Sequence, residues 1–323
     1  DRLAGYQAFA NKIWNAARFV FLNLERAGAP VWAPDAGWEF RPLSSEDLPE
    51  VPLEDRWIFS RLATVAEQAN RAIEQFRYHE VAQLLYHFVW HEFCDWYLEL
   101  KKLKFRDGSG LTAEWKNLLA AFERTLRLLH PLMPFLTEEL WQRLTVHAEG
   151  RPRSIALAAY PDYDVHLTDV EAEQQMALLQ AIITSARDLR AQMKLDRKVV
   201  PGTLYAKGPA VEVTVYQQEA IRKLAHVELE AVDGAAPAGG AARAHTAEFD
   251  LILRVEGADA DTRREKLAKE LAQLEKARDN SRRQLANQEF LSKAPAAVVE
   301  SIRGKLAQYE TQIAKLRESL GQM

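Results

Sequence analysis

On a helical wheel at ~100° per residue, Phe19 lies roughly 140° from the centre of an apolar stripe formed by Tyr6, Ile13, Ala17 and Leu24, and stacks over Lys12 and Asn15. A ring on the outward side of a helix, beside an ammonium and an amide, can stack on an unpaired nucleobase while the cation meets a phosphate and the amide a base edge. The same wheel equally permits Phe19 to pack beneath the segment 28–52. A related arrangement follows further on, where Leu98 falls on the side of a second helix shared by His91, Asp95 and Lys102. Flanked by Glu99 and Lys102, it could receive a base, although a leucine there is more often covered by a neighbouring helix. His87, His91 and Asp95 recur at four-residue steps that a metal could use, but Asp95 stands where the second histidine of His-Glu-x-x-His belongs, so no metal site is assigned. Near the C-terminus Arg278, Arg282, Arg283, Lys293, Arg303 and Lys305 gather toward one end of a helical pair. Charges there are usually a solvated face, yet a basic tip on a protruding rod can reach a distant phosphate backbone.

No catalytic constellation accompanies these residues. The sequence holds no glycine-rich nucleotide loop after a strand, no serine elbow, and no carboxylate pair set against a nucleophile. The single cysteine, Cys94, excludes a disulfide framework and a cysteine-cluster zinc site; it reads as a buried thiol in a reducing cytosol. No apolar run approaches the ~20 residues of a membrane span, so a cytoplasmic protein is expected. The formal net charge of −4 is unevenly spread. Residues 259–323 carry 13 basic and 10 acidic side chains of the 42 and 46 in the chain, leaving 29 and 36 for the rest. Contact with a nucleic acid would therefore come from local patches.

The elements that must position these residues are mostly helical. Residues 1–27 form one amphipathic helix, ended by Gly28 and Pro30. A Pro-rich acidic connector reaches Pro52, and further helices begin near Leu53, at Tyr78 and at Thr112. His130-Pro131 interrupts the last of these, and Pro134 to Leu144 resumes it with Thr137 as a cap and Glu138 and Glu139 in the first turn. Beyond Arg151 an extended piece (154–164) leads to a long helix from about Thr168 to Leu195. A small α/β module follows, with strands around 203–206, 227–232 and 247–255, a helix near Tyr216 to Ala225, and a loop at 234–242. The tail carries two heptad seams, Leu267, Leu271, Leu274 to Leu285 and Val299, Ile302, Leu306, Tyr309, Ile313, Leu316, Leu320. A short break between them makes an antiparallel coiled-coil hairpin on the order of 35 Å long, looser where Arg278 and Ser281 enter the first seam. The expected fold is thus mainly α, with a helical bundle at 1–150, a linker helix and α/β module at 151–258, and the hairpin at 259–323. Asp1 falls inside a helical pattern, which points to preceding sequence.

At NKIWNAARFV (11–20), HEFCDWYLELKK (91–102), LLHPLMPFLTEELWQRL (128–144) and NQEFLSKAPAAVVE (287–300) the chain resembles the valyl-tRNA synthetases, in order and over nearly its whole length. The first three motifs are shared more loosely with isoleucyl and leucyl enzymes; the last, in a terminal coiled coil, is more specific to the valyl family. The resemblance implies an anticodon-binding bundle and a coiled-coil arm that touches the tRNA elbow. It places Lys12 and Phe19 under the anticodon of tRNA(Val), with Leu98 and Glu99 opposite, Arg2 nearby, and Lys305 near the elbow. Asn280 departs from the family where a basic residue is expected, a role that Arg278 or Arg282 could fill. The His-x-Gly-His and Lys-Met-Ser-Lys-Ser signatures are absent. The resemblance therefore implies that ATP, magnesium, valine activation and editing belong to upstream catalytic and editing domains, leaving no cofactor in this segment, which should be a monomer inactive by itself. The alternatives are an isoleucyl-type relative and a coiled-coil adaptor protein.

Overall fold

The computed structural model describes residues 2–27, 51–105, 112–148, 150–193, 195, 198–237, 242–254, 260–287, 290 and 294–321. The chain divides into two compact units, Asp1–Met176 and Ala177–Met323.

The first unit is a helical bundle. Its helices are α1 (Arg2–Ala27), α2 (Leu53–Glu74), α3 (Tyr78–His87), α4 (Leu98–Lys104), α5 (Thr112–Leu129) and α6 (Pro134–Leu144). A ten-residue π-helical stretch, Phe88–Tyr97, joins α3 to α4 without a break. Helix α1 buries Phe9, Ile13, Ala16, Ala17 and Val20, whereas Tyr6, assigned to the same stripe, is 68% exposed. The helix packs only from Phe9 onward, where it meets Tyr86 and Trp90, so Tyr6 sits one turn too early. The predicted cap at Thr137 is also corrected. Pro134 opens α6, because its fixed φ suits the first turn and its missing N–H needs no partner there. Thr137 is buried inside the helix and donates back to the Met133 carbonyl at 2.9 Å. The connector proper (28–50), the loop expected at 107–110 and the reading that packs Phe19 under the connector lie outside the described residues.

A buried polar knot ties the bundle together. The Lys101 ammonium donates to Asp55 Oδ2 at 2.7 Å, Tyr97 donates to Oδ1 at 2.8 Å, and Asn117 donates to Oδ2 at 3.0 Å. All four residues are fully buried, so the Asp55 carboxylate is the charge that makes the Lys101 ammonium tolerable there. A second knot joins Glu123 to Arg127 at 2.8 Å and to the indole N–H of Trp141 at 2.8 Å, fixing α6 on α5. The extended piece expected at 154–164 contains a short 3₁₀ turn, Ile155–Leu157. Helix α7 (Val170–Gln192) follows, near the predicted bounds.

The second unit contains a mixed four-stranded sheet in the order β2-β1-β4-β3, with β1 (Val200–Ala206), β2 (Val227–Asp233), β3 (Ala242–His245) and β4 (Phe249–Leu253). β1 runs parallel to β2, connected through α8 (Pro209–Tyr216) and α9 (Gln218–Ala225), where one helix was expected. Gly202 is required at the centre of the sheet: an added Cβ would lie 2.8 Å from the Ile252 carbonyl oxygen and 2.9 Å from Leu253. Strand β3 begins within the predicted 234–242 loop and continues beyond it; its Ala-Arg-Ala-His sequence offers no alternation of large apolar residues from which to read a strand.

The tail is a helical pair, α10 (Ala260–Ala286) and α11 (Ala296–Gly321). Arg317 bonds Glu275 at 2.5 Å and Arg282 bonds Glu310 at 2.6 Å, two cross-pairs that share one antiparallel register. Leu267, Ile313 and Leu316 are buried, while Leu285, Val299 and Ile302 toward the turn are half-buried. The base of the pair meets the sheet: the Lys315 ammonium donates to the Thr246 carbonyl at 3.0 Å and to Asp250 at 3.2 Å, and His245 Nδ1 lies 2.9 Å from Asp250.

Two carboxylates at this base have opposite signs in stability. Burial pushes Asp250 up, but the hydrogen bond from His245 and the Lys315 ammonium outweigh it and hold the group below its ordinary value. Its contribution is complete above the ordinary value and is lost as pH falls through the lower folded one. Burial raises Glu270, against a smaller opposing pull from His245, so its ionised form costs stability at neutral pH. Glu270→Gln should therefore raise the thermal midpoint at neutral pH and leave it unchanged near pH 3, where the carboxyl is already neutral. Identical midpoints at neutral pH would contradict the assignment.

Candidate nucleic-acid interface

Phe19 is half-buried, less exposed than the wheel implied. Its ring rests against Phe105, centroids 6.5 Å apart, and Phe105 stacks on the buried Trp115 at 3.8 Å. That backing fixes the ring from the core side. The ammonium beside Phe19 is that of Lys102, 5.6 Å from the ring centroid, and Lys102 also pairs with Glu99 at 2.5 Å. Helices α1 and α4 thus bring together a ring, a cation and a carboxylate, with Lys102 and Glu99 each about two-fifths exposed (43% and 41%).

Lys12 is placed differently from the expectation. Its ammonium pairs with Asp95 and lies 4.4 Å over the Trp90 ring, so it adjoins the π-helical stretch. Asn15 is exposed, and the side chain of Arg2 lies outside the described residues.

Leu98 is corrected outright: it is 3% exposed and presents no platform for a base. The wheel assumed ~100° per residue, but a π-helix turns on the order of 80°. Over the seven residues from His91 to Leu98 the difference accumulates to roughly 140°, which carries Leu98 from the outer side into the core. Sequence offered little warning, since the aromatic-rich stretch is apolar nearly all round in either geometry. His87 and His91 are exposed, 3.5 Å from Glu92 and 3.3 Å from Asp95 respectively, and among the described residues no three potential ligands converge on a metal site. Cys94 is buried, which pushes its thiol up to about 12.

On the helical pair, Arg278 is only 18% exposed and bonds Asp279 at 2.7 Å, since it occupies the seam. Arg282 pairs with Glu310, and Arg283 donates to Asn280 Oδ1 at 2.8 Å. Asn280 is thereby tied to Arg283. Arg303 and Lys305 are exposed, whereas Lys293 lies outside the described residues. Exposed ion pairs of this kind are worth about 0–1 kcal/mol, little enough to be exchanged for a phosphate.

The helical bundle and the antiparallel helical pair each fall in a segment similar to a tRNA-binding domain of the aminoacyl-tRNA ligases. Residues 55–200 match the anticodon-binding domain of tRNA ligase, and residues 259–323 match the valyl tRNA synthetase tRNA binding arm. Over 317 residues the chain is 51% identical to a valine–tRNA ligase of Solibacter usitatus, covering 98% of this chain and 34% of the relative. A valine–tRNA ligase of Syntrophotalea carbinolica is 36% identical over 328 residues, 99% of this chain and 35% of the relative. One from Thermotoga maritima is 33% identical over 326 residues, 98% and 34%. Over nearly its whole length the chain is thus similar to the C-terminal part of valyl-tRNA synthetases. It spans about a third of the length of these relatives.

Proposed function

We propose that this chain grips tRNA(Val), with the bundle reading the anticodon and the helical pair holding the elbow, so that a longer valine–tRNA ligase can charge it. The observation that carries this reading is the Phe19 ring, backed by Phe105 and flanked by Lys102 and Glu99, within a chain whose segments match an anticodon-binding domain and a tRNA-binding arm. A base stacked on Phe19 would have an ammonium for its phosphate and a carboxylate for an exocyclic amine. The ATP- and magnesium-dependent attachment of valine would reside in the two thirds of the relatives that this chain does not span, together with editing. The working division is a bundle over 1–150, an α/β connection over 151–258 and an arm over 259–323. Among the described residues no helix is long and apolar enough to cross a membrane, and we place the protein in the cytoplasm.

Binding of valine and isoleucine tRNA transcripts at low and moderate salt tests the reading. Tighter binding of the valine transcript, weakening with salt, is expected; a folded chain indifferent to both would end it, and a preference for the isoleucine transcript would favour the isoleucyl alternative. The arm makes a separate prediction. Replacing Arg282, Arg283 and Lys305 with Gln should weaken all tRNAs alike and flatten the salt dependence, by about 0.9 in logarithmic slope for each duplex phosphate left without its cation. Altered anticodon discrimination with an unchanged slope would contradict this division of labour. The Arg282–Glu310 and Arg317–Glu275 pairs close the seam within one chain. We therefore expect a concentration-independent monomer mass, where a coiled-coil adaptor would dimerise.

A further inference from the structure

We propose that Tyr86 and Trp90 form a second stacking platform for an unpaired RNA base, contiguous with the Phe19 platform through Lys12; the proposal rests on the RNA-binding reading above. Tyr86 and Trp90 stack with centroids 5.5 Å apart and planes at 25°, and Phe9 touches both, at 4.8 and 6.3 Å. Phe9 is buried and holds the pair from the core side, while Tyr86 is 39% exposed and outermost. The three rings form one cluster in which Tyr86 contacts both others and is itself exposed, so a base can reach it.

The polar groups around the ring cluster suit a base better than a bare phosphate. The Lys12 ammonium lies over Trp90 and pairs with Asp95, so the local charge is largely cancelled. The Asp95 carboxylate remains 41% exposed as an acceptor for an exocyclic amine, and the exposed His87 and His91 rings, 5.1 Å apart, offer nitrogens to a base edge. The π-helical stretch creates this grouping. Trp90 and Asp95 are five residues apart, the spacing of the π-helical i→i+5 hydrogen bond, and meet the same ammonium.

Spacing links the two platforms. Lys12 marks the ring cluster and Phe19 the first platform, and seven residues of α1 separate them by about 10 Å. That is about three of the 3.4 Å steps of a stacked strand. A loop with one base on Phe19 would therefore bring a nucleotide flanking the anticodon triplet to Tyr86.

The test uses the whole chain, a tRNA(Val) transcript, and the same transcript carrying a single abasic nucleotide at each anticodon-loop position in turn. Tyr86→Ala should weaken binding about five- to a hundred-fold, Tyr86→Phe should bind as wild type, and Tyr86→Leu, which keeps the apolar bulk without the π-face, should behave as Tyr86→Ala. The loss should vanish at one abasic position outside the triplet, different from the position that couples to Phe19→Ala. Wild-type affinity in a folded Tyr86→Ala or Tyr86→Leu chain, or a loss that couples to no position, overturns the platform alone. A wild-type chain that does not bind the transcript overturns the RNA-binding reading, and the platform with it.

Discussion

Asp55→Ala should destabilise the helical bundle by about 3–5 kcal/mol, because it removes the carboxylate that pairs with the buried Lys101 ammonium. The same substitution removes the acceptor of Tyr97 and Asn117, two further polar groups sealed from water. Glu54 is the nearby candidate to replace it. Burial pushes that carboxyl up while Lys101 pulls it down, and its Oε1 has no hydrogen-bond partner, so it is poorly held as a substitute. Urea unfolding followed through the bundle gives the measurement. The double variant Asp55→Ala with Lys101→Met should recover part of the loss, since it removes the buried ammonium as well as its partner. A single variant within about 1 kcal/mol of wild type would show that the knot does not carry the stability assigned to it.

The second large effect is on binding. Phe19→Ala should cost about 1–3 kcal/mol of tRNA affinity, the range measured for removing one base–aromatic stack. Phe19→Tyr keeps a π-face and should retain most of the affinity, whereas Phe19→Leu should not. Because the ring also leans on Phe105, Phe19→Ala should lower stability slightly, so binding must be compared well below the unfolding midpoint. Lys102→Gln should lower affinity with a reduced salt dependence, separating the cation from the ring. Unchanged affinity in Phe19→Ala would remove the ring from the interface even if tRNA binding itself stood.

Much of the fold is legible in the chain alone. The start of α2 and the bounds of α5 and α6 follow from chain breakers and apolar periodicity, and the tail pair follows from heptads that repeat without competition from other patterns. The candidate site is only partly legible. Phe19 and Lys102 meet, although the wheel assigns them to separate arrangements; Lys12 goes to Trp90 and Asp95 instead. Leu98 is misplaced because a wheel needs a constant turn angle, and nothing in HEFCDWY signals the change to π geometry. Strand β3 escapes for a different reason: its identity comes from pairing with β4, through backbone groups that every sequence possesses.

The sequence by itself determined which segments are helical, where the arm turns back, and which family the chain resembles, because periodicity, proline and motif order are properties of the chain alone. Only the tertiary structure decided which cation stands over which ring, which leucine faces inward, and that Asp55 must neutralise Lys101. Those outcomes depend on the rotation of one helix against another. A shift of roughly 20° per residue, sustained over a π-helical stretch, is enough to exchange an exposed side chain for a buried one.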